Sequence, residues 1–303
     1  MNIKLFDGGD PFLMRHDGKY YIYCTTENGR KLEAPNAFDT ACGGKDGFYV
    51  YESTDLINWE NKGLCLDAND VTGDRWFWAP EVSKYNGKFY MVYAANEHLA
   101  VAVADSPTGP FTQWSAGWLR SAPAIDGHLL FDNDGSVYIY FADLQHSNRI
   151  FAGKMSADLS SIQCECGEVL IAADAPWETI DCKVAEGPFV LKHNGWYYLS
   201  YSANHTRSAD YAIGYAVSEN PFGPFEKFTG NPILHRPGHL AGTGHHSFMR
   251  TDDPDCLVCA FHCHNDALDN FKPRQVCLSM ARFEKNPGKP DRLVILPDEK
   301  VSV

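Results

Sequence analysis

Asn86-Gly87-Lys88-Phe89-Tyr90-Met91-Val92-Tyr93 is the stretch on which the fold of this 303-residue chain turns. Asn-Gly suits the two central positions of a tight hairpin, where both residues must tolerate positive φ, and the aromatic, β-branched run after it suits a strand. Moving outward, the same pattern recurs as Asp17-Gly18-Lys19-Tyr20-Tyr21-Ile22-Tyr23, Asp134-Gly135-Ser136-Val137-Tyr138-Ile139-Tyr140 and Asn194-Gly195-Trp196-Tyr197-Tyr198-Leu199-Ser200-Tyr201. A degenerate fifth copy runs from Asp252 through Pro254 and Asp255 to Phe261. The markers Gly18, Gly87, Gly135, Gly195 and Asp255 are spaced 69, 48, 60 and 60 residues apart.

A further strand candidate follows each hairpin: Phe48–Glu52, Leu99–Ala104, Ile150–Met155, Tyr211–Ala216 and Gln275–Met280. Asp105-Ser106-Pro107-Thr108-Gly109-Pro110-Phe111 is echoed by Glu219-Asn220-Pro221-Phe222-Gly223-Pro224-Phe225 at the same point of the second and fourth units. No long segment carries helical periodicity. Repeating units of this length, each holding several strands, read as propeller blades. The expectation is an all-β, five-bladed β-propeller with four-stranded antiparallel blades, forming one catalytic domain over 1–303. The blades are expected near 6–66, 76–118, 122–172, 184–235 and 243–297. A β-sandwich shares short strands and turns but does not explain so long a repeat. The first unit is the longest because of an insertion, Asn28 to Asp46, of the kind that shapes a binding rim or merely crosses the surface.

The bulk numbers narrow the function. A hydrophobic fraction of 44% with 13% aromatics excludes disorder. A formal charge of −13 argues against a nucleic-acid partner, which would need clustered Lys and Arg. No apolar run approaches a membrane span, and Met1 to Asp10 has no basic segment leading into an apolar one, so no membrane and a cytoplasmic address are expected. Ten cysteines are spread through the chain without a short disulfide framework. The group Cys256, Cys259, His262, Cys263 and His264 invites a zinc reading. As a strand, however, that segment sends Cys256 and Cys259 to opposite faces, which favours reduced structural thiols.

Counting back from each hairpin marker reaches the start of the blade's first strand, the innermost one. There stand Asp10 in Gly9-Asp10-Pro11-Phe12, Trp78 in Trp78-Ala79-Pro80-Glu81-Val82, and Asp126 in Ala124-Ile125-Asp126-Gly127-His128. Blades four and five supply Glu186 in Ala185-Glu186-Gly187-Pro188-Phe189 and His245 in Gly242-Thr243-Gly244-His245-His246-Ser247-Phe248. These are read as five equivalent positions facing one cavity. Each alone has a plainer explanation: Asp10 and Asp126 as turn residues, Trp78 as core, His245 and His246 as hydrogen-bonded interior histidines. Together they are a set no core would choose, since carboxylates are rarely buried and repel one another. Such repulsion keeps one carboxylic acid protonated near neutral pH, and glycosidic cleavage needs one protonated acid beside one ionised base or nucleophile.

In these motifs, taken in order from Asp10-Pro11 to about Phe283, the chain resembles glycoside hydrolase family 43, the arabinofuranosidases, xylosidases and arabinanases built on a five-bladed propeller. The resemblance implies that Asp10 is the general base, Glu186 the general acid, and Asp126 the residue that raises and orients Glu186. It implies inversion at the anomeric carbon, with acid and base roughly 6.5–9.5 Å apart. Trp78 and Ala79 would line the sugar subsite, and Arg274 would contact substrate hydroxyls or Asp126. His245 matches a central histidine near which some members hold calcium or sodium, often through water. The ion is optional there, so no cofactor is required. The expected partner is a small oligosaccharide containing arabinose or xylose. An α-L-arabinofuranosidase is the leading reading, β-xylosidase or another exo-glycosidase of the family the alternative, and a non-catalytic sugar-binding propeller the rival from another class. A glycoside phosphorylase would instead gather Arg, Lys and His around a phosphate. Oligomeric state is not legible.

Overall fold

The computed structural model describes residues 3–26, 46–145, 147–265 and 273–301. Five antiparallel sheets follow one another along the chain. After a leading strand β1 (Ile3–Asp7), blade one comprises β2 (Gly9–His16), β3 (Lys19–Thr25), β4 (Gly47–Ser53) and β5 (Glu60–Asp67). Blade two comprises β6 (Trp78–Tyr85), β7 (Lys88–Ala95), β8 (His98–Ala104) and β9 (Thr112–Gln113). Blade three is β10 (Ala124–Phe131), β11 (Val137–Asp143), β12 (Arg149–Met155) and β13 (Ile162–Glu165). Blade four is β14 (Ala185–His193), β15 (Trp196–Ala203), β16 (Ala212–Ser218) and β17 (Glu226–Lys227). Blade five is β18 (Gly244–Arg250), β19 (Cys256–Cys263), β20 (Gln275–Glu284) and β21 (Arg292–Leu296). The Cys256–Cys263 segment is a strand, as its composition suggested. The rim insertion from Asn28 falls, up to residue 45, outside the described residues.

The ring closes through β1. It pairs with the first half of β20 (Ile3 opposite Leu278, Lys4 opposite Cys277), while β21 takes the second half (Met280 opposite Leu296, Glu284 opposite Arg292). Phe6 and Asp7 therefore belong to blade five, and blade one begins at Gly9. An outer strand built from both ends of the described chain joins first blade to last.

Three hairpins close as the dipeptides require. Asp17-Gly18, Asn86-Gly87 and Asn194-Gly195 have both residues at positive φ, between strand ends paired directly across them. Asp134-Gly135 differs, because of its pair only Gly135 has positive φ. There the Asp132 N–H bonds the Ser136 carbonyl and the Gly135 N–H bonds the Asp132 carbonyl, giving a three-residue loop.

The core consists of five wedges, one between each pair of neighbouring blades. Alternation along β3 sends Tyr21 and Tyr23 toward blade two and Tyr20 and Ile22 toward blade five. Strands covered on both faces read as unbroken apolar runs, which explains why the hairpin segments carry no polar face.

Candidate active site

Every first strand is interrupted soon after it begins. The pairing register slips between Gly9 and Phe12, Trp78 and Glu81, Ile125 and His128, Glu186 and Phe189, and Gly244 and His246. At each slip one residue adopts positive φ: Asp10 (53°), Ala79 (45°), Asp126 (59°), Gly187 (57°) and His245 (41°). Bulges of this kind re-aim side chains and cluster beside active sites. For Asp10, Asp126 and His245 the conformation is unfavourable and held by the surrounding structure. The bulge corrects the register read from spacing. Asp10, Asp126 and His245 share one position with Ala79 and Gly187, whereas Trp78 and Glu186 stand one residue earlier, level with Gly9, Ile125 and Gly244.

A bulge withdraws a backbone N–H from the ladder, and here the preceding blade supplies its acceptor. Asp10 N–H donates to His262 Nδ1 at 3.1 Å, and Ala79 N–H to Thr25 Oγ1 at 2.8 Å. Gly187 N–H donates to Asp126 Oδ2 at 2.9 Å, and His245 N–H to Ser202 Oγ at 2.8 Å. Thr25, Ser202 and His262 occupy the same place on their second strands, opposite the residue before the bulge. The signal for them in the sequence was slight: one polar side chain at the end of an apolar strand.

Asp10, Asp126 and Glu186 are each less than 10% exposed. Arg274 Nη1 donates to Asp10 Oδ1 at 2.6 Å, and Thr25 Oγ1 donates to Oδ2 at 2.6 Å. Gly9 makes the arginine's approach possible, since a Cβ there would lie 2.1 Å from its Cζ. The carboxylate that Arg274 holds is thus Asp10, where the resemblance offered Asp126 or substrate hydroxyls. Burial works to raise the Asp10 pKa, but the charge of Arg274, with His245 beside it, holds it well below the usual carboxylate range. His262 accepts from a backbone N–H through Nδ1, so its proton sits on Nε2, 3.4 Å from Thr206 Oγ1. Burial, and then Arg274, push His262 down to about 3, so it stays neutral. His245 Nδ1 lies 3.2 Å from Asp10 Oδ1 and 4.0 Å from Asp126 Oδ2, spanning the two.

Asp126 and Glu186 move the other way. Burial, then the charges of Glu186 and Asp10, raise Asp126 well above an ordinary carboxyl. Burial raises Glu186 to about 7, against two donors that favour its ionised form: Tyr211 Oη to Oε1 at 2.9 Å and Asn148 Nδ2 to Oε2 at 2.8 Å. Both carboxyls are pushed up, and the charge of Glu186 adds to the rise at Asp126. Desolvation is the leading cause for each, where sequence reasoning had stressed mutual repulsion. One buried cluster therefore contains a carboxylate kept ionised and two kept able to hold a proton.

Trp78 is half-buried and stacks on Trp76, with ring centroids 6.0 Å apart and planes 12° off parallel. Ala79 is buried at its bulge. Among the described residues no group of three or more His, Cys, Asp or Glu side chains is arranged to hold a metal ion, and His245 turns Nδ1 to carboxylates.

The family model described as Glycosyl hydrolases family 43 matches residues 3–287. The chain belongs to that family. It is accordingly an O-glycosyl hydrolase of the propeller type. A crystal structure of an endo-1,4-β-xylanase from Bacteroides thetaiotaomicron superimposes with a TM-score of 0.83 and 36% identity, over 97% of this chain and 96% of that one. An arabinoxylan arabinofuranohydrolase of Paenibacillus polymyxa is 29% identical over 79% of this chain and 42% of its own length. The chain thus spans less than half of that relative. A β-xylosidase of Xylanibacter ruminicola is 28% identical over 79% of this chain and 83% of its own.

Proposed function

We propose that the chain is an inverting glycoside hydrolase on oligosaccharides containing arabinose or xylose, with α-L-arabinofuranosidase first and β-xylosidase or another exo-glycosidase second. The observation that carries this reading is the split in proton affinity within one cavity, Asp10 held ionised while Glu186 is lifted to about 7. Glycosidic cleavage by either stereochemical course needs that division, and inversion is what the family resemblance adds to it. Asp10 would take a proton from water as the water attacks the anomeric carbon. Glu186 would give its proton to the departing glycosidic oxygen. Asp126, bonded to the N–H of the residue after Glu186, would hold the acid's backbone and keep negative charge beside it. Trp78 offers an aromatic face for a sugar ring, and His245 and Arg274 offer N–H donors beside Asp10.

The choice of sugar rests on relatives named for one bond or the other, an arabinoxylan arabinofuranohydrolase and a β-xylosidase. The test is a panel of nitrophenyl α-L-arabinofuranoside, β-D-xyloside and β-D-galactoside, with wild type and Glu186→Ala. Cleavage of the first two is expected. Glu186→Ala should lose much of its activity on natural glycosides, about 10²–10⁴-fold for a missing general acid, and less where the leaving group is good. Oligosaccharide binding without cleavage by wild type would refute the reading.

A further inference from the structure

The two oxygens of Glu186 stand in unequal surroundings. Oε1 accepts from the hydroxyl of Tyr211, a residue with no solvent exposure. The Tyr211 ring packs against two cross-strand neighbours of blade five, His262 and Gly244. It lies parallel to the His262 ring at 5.5 Å and 13°, and it presses so closely on Gly244 that a Cβ there would fall 2.3 Å from ring carbons. A phenol fixed in this way cannot swing aside, so Oε1 is committed to the protein interior. Oε2 accepts from Asn148, which is half-buried, on the segment leading into blade three's third strand. Asn148 is fixed in turn by its carbonyl, which accepts from Ala185 N–H at 3.0 Å, one residue before Glu186.

On the reading of Glu186 as the general acid, we propose that Tyr211 and Asn148 are its positioning residues, and that the proton leaves from Oε2, on the Asn148 side. Tyr211 fixes the rotation of the carboxyl by holding Oε1. The departing sugar then sits beside Asn148, whose amide can donate to that sugar once Oε2 carries the proton. The Tyr211 ring also ties the two halves of the reaction together: its hydroxyl touches the acid, and its face rests on the histidine that receives the Asp10 N–H.

The experiment measures kcat and kcat/KM against pH for Tyr211→Phe and Asn148→Ala in the full chain, on aryl glycosides with good and poor leaving groups. Tyr211→Phe keeps the ring and its stacking. It removes a donor to the ionised form of Glu186, so the basic limb should move to higher pH while the acid limb, set by Asp10, stays in place. At its optimum, kcat on the poor leaving group should fall roughly 10- to 100-fold, the factor for one lost hydrogen bond to a charged group. Asn148→Ala should move the basic limb in the same direction and raise KM for oligosaccharides more than for aryl glycosides. Should Tyr211→Phe not fold, the Asn148→Ala profile decides alone. A basic limb that stays put in the folded variants overturns the assignment, while Glu186→Gln still inactive on poor leaving groups leaves the acid reading intact. Glu186→Gln as active as wild type removes the acid reading, and this proposal with it.

Discussion

Replacing Arg274 by Met separates the electrostatic role of this arginine from its packing. Its Nη1 lies 2.6 Å from Asp10 Oδ1, with the two side chains 7% and 9% exposed. At an effective dielectric of about 20 that separation corresponds to an attraction of about 6 kcal/mol. Desolvation of both ions offsets part of it, and truncating one partner of a buried pair costs about 3–5 kcal/mol. The loss depends on pH in a definite direction. In the wild type Asp10 is depressed, so its contribution is present above the unfolded carboxyl's pKa and disappears as pH falls through the lower folded value. In Arg274→Met burial dominates and Asp10 takes up a proton more readily. The destabilisation should be full at neutral pH and shrink toward about pH 4.5. Arg274 also lowers Glu186, so both limbs of kcat/KM should shift to higher pH together. Urea unfolding at the two pH values and a pH–rate profile measure this. Equal destabilisation at both pH values, with both limbs unmoved, would refute the electrostatic account of Asp10.

Two other perturbations probe the supports of the site and the closure of the ring. Thr25→Val keeps the shape but leaves the Ala79 N–H without its acceptor and Asp10 Oδ2 without its donor. Chemical denaturation should show a loss of about 1–3 kcal/mol, and the acid limb of kcat/KM should rise, because a donor to ionised Asp10 is gone. Phe6→Ala removes a ring stacked on Tyr51 at 3.8 Å and set edge-on to Trp59, where β1 joins blade five. For this half-buried side chain a loss of about 1–3 kcal/mol is expected, within a single unfolding transition monitored by tryptophan fluorescence.

The sequence revealed the blades more readily than the site. Asn-Gly and Asp-Gly pairs encode a backbone conformation locally, so the hairpins at Gly18, Gly87 and Gly195 could be read without knowing their surroundings. A bulge leaves no such mark. All five first strands carry it, so it cancels in a count from the hairpin. The longer loop at Asp134-Gly135 puts Asp126 nine residues before its marker where Asp10 stands eight before, and a count of nine picks Trp78 and Glu186, one residue ahead of the bulge position. The partners of the carboxylates were hidden for a second reason. Arg274 meets Asp10 across 264 residues, and Tyr211, Asn148, Thr25 and Ser202 are ordinary residue types whose importance comes only from the carboxylates and bulges they meet once the blades have folded. The carboxylates themselves stood out because burial of such groups is unusual. The split in their proton affinities came from burial and Arg274, which spacing cannot show.

The central claim is that Asp10 and Glu186 act as base and acid on opposite sides of one glycosidic bond, with Asp126 beside the acid. The most direct measurement is the anomeric configuration of the first-formed sugar, followed by proton NMR before mutarotation. The account predicts inversion, so that an α-arabinofuranoside first yields the β anomer and a β-xyloside the α anomer. Retention of configuration would contradict it, since that outcome requires a carboxylate close enough to bond the sugar carbon in place of one that activates water.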